Sequence, residues 1–210
     1  MIRPFRQLEF KGVVEGAKHT DGRAVYRAIA TTPALDRYGE VVLPKGAVVD
    51  NFMKNPVLLE LHNYGASSVG HVVNLDVQED VMTFDFVFST DTRGSELEEK
   101  YKSGDMNAFS IGFKPKNVIN IWNPWEDAPA IKEIKIDVAG KEVSLDLTQY
   151  EHIPYCVYNS WELLEISPVS VPANPEALLM REAEEIIRRT MDKNPMMRSF
   201  VQAELGERLS

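Results

Sequence analysis

The segment Met82-Thr83-Phe84-Asp85-Phe86-Val87-Phe88 constrains the fold more than any other stretch of this chain. Large apolar side chains at every second position do not stack on one side of a helix, but they line one face of a β-strand. That face needs a core to rest on. The polar turn Gln78-Glu79-Asp80 connects this strand to another over Val72 to Asp76. Gln7 to Glu15 and Arg23 to Thr31 read as a hairpin around the turn residues Lys18-His19-Thr20-Asp21-Gly22. Pro56 to Tyr64 reads as a buried strand ending at His62. Ahead of it, Val48 to Asn55 has the length of a short helix that stops before Pro56, because the residue preceding a proline is pushed out of the α region.

Two stretches are helical. Thr92 to Ser103 has helical spacing with Gly104 as C-cap, and Glu176 to Lys193 has Asn174 to cap it, Pro175 at its first position and an apolar stripe. Between them, residues 117–159 read as an inserted hairpin region, with strands at Ile131 to Val138 and Glu142 to Leu147 around Ala139-Gly140-Lys141. Ser160 to Val171 reads as a strand in which alternation puts Trp161, Leu163 and Glu165 on one face and Glu162 on the other. The expected organisation is one domain over residues 1–193, followed by a tail over 194–210 that is amphipathic or flexible.

Charge and composition exclude several classes of function. A net charge of −9 lacks the lysine and arginine excess that phosphate binding requires, so proteins are expected as partners rather than nucleic acid. A single cysteine forms no internal disulfide, which suits a reducing compartment. Met1 to Gly12 has no continuous apolar core of a signal peptide, and no run approaches the ~18 apolar residues of a membrane helix. A chain that is neither secreted nor membrane-bound is expected.

The chemistry-bearing candidates are few. Ser110 lies in Met106-Asn107-Ala108-Phe109-Ser110-Ile111-Gly112-Phe113, flanked two residues away by Ala108 and Gly112, whose small size leaves room for a substrate backbone. The spacing approaches a G-x-S-x-G elbow, but this stretch follows a helix instead of leading from a strand into one, which argues against an α/β-hydrolase. A strand serine bonded to backbone is the alternative for Ser110. His62 stands where a buried strand opens into a loop, a place that can hold a general base at the edge of a cleft; His71 is near enough in sequence to compete. Asp36 and Arg37 read as a solvated pair, and His19 as a solvated turn residue. His152 and Cys156 flank Pro154, which denies them a shared helix face. Glu165 is costly on an apolar face without a cation or a histidine beside it.

Four blocks in order resemble the tailed-phage prohead protease family, the serine peptidases of capsid maturation. They are Asp36-Arg37-Tyr38-Gly39-Glu40-Val41-Val42 ahead of Pro44-Lys45-Gly46-Ala47; Pro56-Val57-Leu58-Leu59-Glu60-Leu61-His62 followed by Val69-Gly70; Ala108 to Phe113; and Glu162-Leu163-Leu164-Glu165-Ile166-Ser167-Pro168 continuing to Pro175. The resemblance runs from about Arg23 to Ala177 and is loose over Asn117 to Asn159. It implies an α+β, mostly β fold: a compact antiparallel β-barrel surrounded by a few helices, as in the herpesvirus assembly proteases. It also implies Ser110 as nucleophile and His62 as base, with no metal or cofactor. The implied substrates are scaffold protein and the N-terminal extension of the major capsid protein, with self-cleavage and self-association, inside the assembling prohead in the host cytoplasm.

Acyl transfer then requires His62 within hydrogen-bond reach of Ser110 and a third group to orient the imidazole. Glu165 is the first choice, with Glu162 and His71 behind it, since the herpesvirus relatives use a second histidine. Backbone N–H groups are expected as oxyanion donors, without a sequence pattern to name them. Two other classes remain open: a non-catalytic capsid assembly or scaffold component, and a β-barrel protein-binding module, in both of which Ser110 is structural.

Overall fold

The computed structural model describes residues 18–122 and 129–180. Ten strands are named in chain order: β1 (Tyr26–Thr31), β2 (Glu40–Val42), β3 (Ala47–Val48), β4 (Val57–Leu58), β5 (Gly70–Val77), β6 (Met82–Phe88), β7 (Ala108–Asn120), β8 (Glu133–Val138), β9 (Lys141–Asp146) and β10 (Cys156–Val169). One α-helix, α1 (Thr92–Ser103), lies between β6 and β7. Asp91 caps it by accepting from the Gly94 N–H, and Gly104, at φ 85°, ends it as expected. No helix among the described residues is long and apolar enough to cross a membrane.

Eight strands form one sheet that curls into a nearly closed barrel. β1, β6, β5 and β4 pair antiparallel in that order, then β10 takes up β4. The far edge of β10 carries β7 along almost its whole length. Closure comes from a short segment after β10: Leu179 bridges Ala28 of β1 and Leu178 bridges Ala108 of β7. The barrel is not purely antiparallel, because β10 runs parallel to β2, β3 and β4 in succession.

The alternation in β6 packs as expected: Met82, Phe84, Phe86 and Phe88 are all at most 2 % exposed. Phe84 and Phe86 meet Phe109 edge-on at ring separations of 5.1 and 5.0 Å, and Phe109 contacts Tyr101 of α1 at 5.0 Å. Trp161 of β10 is fully buried and donates its indole N–H to the Leu43 carbonyl at 2.9 Å, which satisfies its polar atom inside the core. Asp85 is also buried in β6, yet it sits opposite Arg27 of β1, and the guanidinium grips its carboxylate with two bonds.

Four segments differ from the sequence reading. Pro56 to Tyr64 is strand only at Val57–Leu58; the chain then turns through Glu60–His62, where Leu61 and His62 take left-handed φ of 52° and 58°. Val48 to Asn55 yields a single 3₁₀ turn at Phe52–Lys54. Residues 176–179 are turn and bridge, not the first turn of a helix, because their backbone bonds to β1 and β7: Leu178 accepts from the Ile29 N–H and Ala177 from the Phe109 N–H. The remainder of that expected helix, the tail after it and the Gln7 to Glu15 strand lie outside the described residues. Asp36 and Arg37 do not pair: Asp36 accepts from backbone N–H groups of its own turn, while the Arg37 guanidinium donates to the Pro172 carbonyl.

The β8–β9 hairpin forms a separate two-stranded sheet. Its Ile136, Val138, Val143 and Leu145 cluster with Val41, Leu43 and Val157 of the barrel. The cluster is distinct from the barrel's main core.

Candidate active site

Ser110 stands within a strand, two residues after the start of β7, not in a turn. It faces Ser167 directly across the β7–β10 pair, and directly opposed residues of an antiparallel pair project from the same face. Only 7 % of Ser110 is exposed, and its hydroxyl makes no hydrogen bond among the described residues.

The regular alternation expected along β10 is broken. Leu163 pairs with Phe113 and Glu165 with the next residue, Gly112, so Leu164 is an extra residue, a β-bulge. Leu164 is exposed, while Trp161, Leu163 and Ile166 all reach the main core. Glu165 therefore leaves the face of Trp161 and Leu163, and turns with Ser167 toward the side where Ser110 projects.

Glu165 is fully buried. One carboxylate oxygen meets His62 Nδ1 at 2.6 Å, and the other accepts the Ser167 hydroxyl at 2.6 Å. Ser167 also accepts the backbone N–H of His62 at 3.1 Å, so one buried hydroxyl ties the carboxylate to the histidine's main chain. A carboxylate at Nδ1 selects the tautomer protonated there and turns Nε2 outward as the basic atom. The hydrogen bond from Glu165 raises the His62 pKa above the ordinary histidine value, although burial opposes it. Gly112 makes this arrangement sterically possible. A Cβ at that position would collide with the Glu165 carboxylate and crowd the Tyr64 hydroxyl. The small residue beside the serine thus gives its space to the carboxylate, not to a substrate backbone.

His62 and Ser110 line a common open cleft of about 550 Å³, together with Leu61, Ile111, Phe113 and Val171. The two do not hydrogen-bond to each other among the described residues. His62 keeps 38 % of its side chain exposed. Its left-handed turn is fixed by three backbone anchors: the Ser167 bond, the Asn63 N–H to the Glu60 carbonyl at 3.0 Å, and the Leu59 N–H to the Ile166 carbonyl at 3.1 Å. Arg93 at the start of α1 holds the Glu60 carboxylate with a two-pronged ion pair.

The other candidates lie elsewhere. Glu162 meets Asn51 and Lys116, and His71 packs its ring against His19 at 5.6 Å. His19 pairs with Asp21 at 2.9 Å. Cys156 is buried, and burial pushes its thiol up to about 11, unlike a reactive thiolate. Among the described residues, no three His, Cys, Asp or Glu side chains converge as metal ligands. Ser167 was absent from the candidates, yet Glu165-x-Ser167 is a period-two spacing that puts both side chains on one strand face.

The outer edge of β7 is open beside Ser110. Phe109 donates its N–H across that edge to Ala177 at 2.8 Å. Ile111 and Phe113, two and four residues further on, turn their N–H and C=O groups to the same side, and no backbone partner meets them there among the described residues.

No family model matches this chain, and no solved structure matches it. It is similar to a capsid polyprotein of Pseudomonas phage PAJU2, with 27 % identity over 185 residues. The match covers 84 % of this chain, and the chain spans 22 % of the polyprotein's length.

Proposed function

We propose that this chain is a serine endopeptidase of phage capsid maturation, with Ser110 as nucleophile, His62 as general base and Glu165 as the orienting carboxylate. The observation that carries the reading is the fully buried Glu165 bonded to His62 Nδ1 at the edge of a cleft that Ser110 also lines. Burying a carboxylate is costly unless it is paired, and this one is spent on aligning a half-exposed imidazole. Likeness to part of a phage capsid polyprotein supports the biological setting. The nearly closed barrel is in keeping with a herpesvirus-assembly-protease type of fold. The substrates on this reading are scaffold protein, the N-terminal extension of the major capsid protein and the chain itself, cut inside the assembling prohead in the host cytoplasm.

An extended substrate lies along the open edge of β7, bonding to Ile111 and Phe113, with its scissile carbonyl over Ser110. Ser110 Oγ attacks that carbon while its proton passes to His62 Nε2. The imidazolium, stabilised by Glu165, then protonates the departing amine, and water repeats the sequence to free the acyl group. The His62–Ser110 hydrogen bond forms as substrate fills the cleft, since catalytic hydrogen bonds are often made only in the complex with substrate.

Ser110→Ala tests the reading: it should abolish self-trimming and cleavage of capsid or scaffold protein, a loss on the order of 10⁶, with an unchanged circular dichroism spectrum. His62→Ala should be as damaging, and the double variant no worse, because triad members act as a unit. His19→Ala, His71→Ala and His152→Ala should keep most activity. Processing that survives Ser110→Ala would instead favour a non-catalytic capsid component.

A further inference from the structure

We propose that the cleft selects substrates carrying a lysine or arginine near the cut, read by the carboxylates of Asp36 and Glu40. The inference rests on the peptidase reading above and adds the chemical class of peptide that the site accepts.

Asp36, Tyr38 and Glu40 form one side of the cleft that Ser110 and His62 line. Asp36 uses Oδ1 to accept the N–H groups of Tyr38 and Glu40 at 2.8 and 2.9 Å, and its Oδ2 has no partner among the described residues. Glu40 uses Oε1 to accept the Tyr158 hydroxyl at 3.1 Å and, at 3.8 Å, the Cys156 thiol, and its Oε2 has none. Neither carboxylate takes part in an ion pair among the described residues, and the cleft lining holds no lysine or arginine. The nearest cation in sequence, Arg37, donates to the Pro172 carbonyl and pairs with neither carboxylate. Burial raises the Asp36 pKa, in keeping with a carboxyl that lacks a counter-charge.

Two independent features of the same cleft point to a ligand. Ser110 as a residue is 7 % exposed, its hydroxyl is unpartnered among the described residues, and it is part of the lining. Tyr38, Leu61 and Val171 are 71 %, 59 % and 69 % exposed, and all three rim this one cleft. Exposed apolar side chains gathered around a depression mark a contact surface. A long basic side chain matches both parts, laying its methylene stem on the apolar rim and its charged head on the free carboxylate oxygens. The Tyr38 ring can add a cation–π contact.

The test uses the full chain carrying Ser110→Ala and fluorescein-labelled nonapeptides of valine, serine and alanine with one central Lys, Gln or Glu, read by fluorescence anisotropy. The Lys peptide should bind about tenfold tighter than the Gln peptide, the size expected of one charge-assisted hydrogen bond, and the Glu peptide more weakly still. Adding Asp36→Asn and Glu40→Gln should make Lys and Gln peptides equal; asparagine keeps the Oδ1 acceptor that shapes the turn. Glu99→Gln with Asp105→Asn, on the exposed side of α1 and the loop after it, removes the same net charge and should leave the preference intact. Equal binding of Lys and Gln peptides, or a preference that survives Asp36→Asn/Glu40→Gln, would overturn the inference. In parallel, the unmutated chain is incubated with a protein-derived peptide mixture and the cuts are mapped by mass spectrometry. A Lys or Arg should recur at one fixed position beside them. Absence of any Ser110-dependent cut with the binding preference intact would sink the peptidase reading alone.

Discussion

Gly112 is the smallest residue at the site and the one with least latitude. Its missing side chain leaves the volume that the Glu165 carboxylate fills. Gly112→Ala should force the carboxylate off His62, costing about 1–3 kcal/mol as other overpacking changes do. It should also lower turnover at least as much as Glu165→Gln; thermal unfolding and a cleavage assay on the same sample check both. Glu165→Gln keeps size and one acceptor but loses the charge that stabilises the imidazolium, so turnover should fall by about 10⁴. Glu162→Gln should be near neutral, since its side chain lies with Asn51 and Lys116. The raised His62 pKa also predicts a pH profile. A base must be unprotonated, so the acid limb of kcat/KM should fall above the ordinary histidine value of about 6.5 and move down in Glu165→Gln. In stability the sign is opposite: the contribution from His62 is full below about pH 6.5 and is lost as pH rises through the folded-state pKa. That Glu165 needed a histidine or a cation was legible from its apolar neighbours. The purpose of Gly112 was not, because a steric vacancy is visible only once the partner strand is in register.

At the scale of elements, local pattern succeeded where local forces decide and failed where distant bonds do. The helix Thr92–Ser103 and its caps are written in adjacent residues, and so is the β6 alternation. The run Val57 to Leu61 has the composition of a strand, yet it turns at Glu60 because Ile166 and Ser167, on a strand far along the sequence, take the backbone N–H groups of Leu59 and His62. The bulge at Leu164 is likewise set by how β10 registers on β7. Two consecutive left-handed non-glycine residues store strain, of order 1–3 kcal/mol each. Leu61→Gly should therefore leave stability unchanged or raise it by up to about 1 kcal/mol after the entropy that glycine loses. Leu61→Val, β-branched at a left-handed position, should lower stability by about 1 kcal/mol or more. Urea denaturation of the two variants separates these outcomes.

At the largest scale, the barrel is brought close to closure by a few residues after β10, and sequence alone misread them. Pro175 after Asn174 is a sound helix start in isolation. The open edges of β1 and β7 nonetheless draw Leu178 and Leu179 into bridges, since unpaired strand edges demand partners. Leu179 is 2 % exposed within the main core. Leu179→Asp should cost more than about 3 kcal/mol, the range of a buried unpaired charge, and melt the barrel, whereas the same change at exposed Leu164 should be mild. Thermal unfolding of the pair measures the difference. The mixture of parallel and antiparallel pairing on β10 was beyond reading from pattern, because period-two alternation is the same in either direction.

If this chain is the peptidase proposed above, the dependence of so much of the sheet on β10 sets when it becomes active. Among the described residues, β2 and β3 have no strand partner except β10, and β7, which bears Ser110, is held along its length by β10 and at its start by the segment Ala177 to Leu179. Glu165 and Ser167 are themselves on that strand. A nascent chain that has not yet emitted residues 156–169 from the ribosome carries its serine and its histidine but nothing that aligns them. Such long-range pairings form late, because loop closure must precede their reward. On the proposed peptidase reading, the capacity to cut therefore arrives in a single step with the completed sheet, and unfinished copies should be inert without any inhibitor to restrain them.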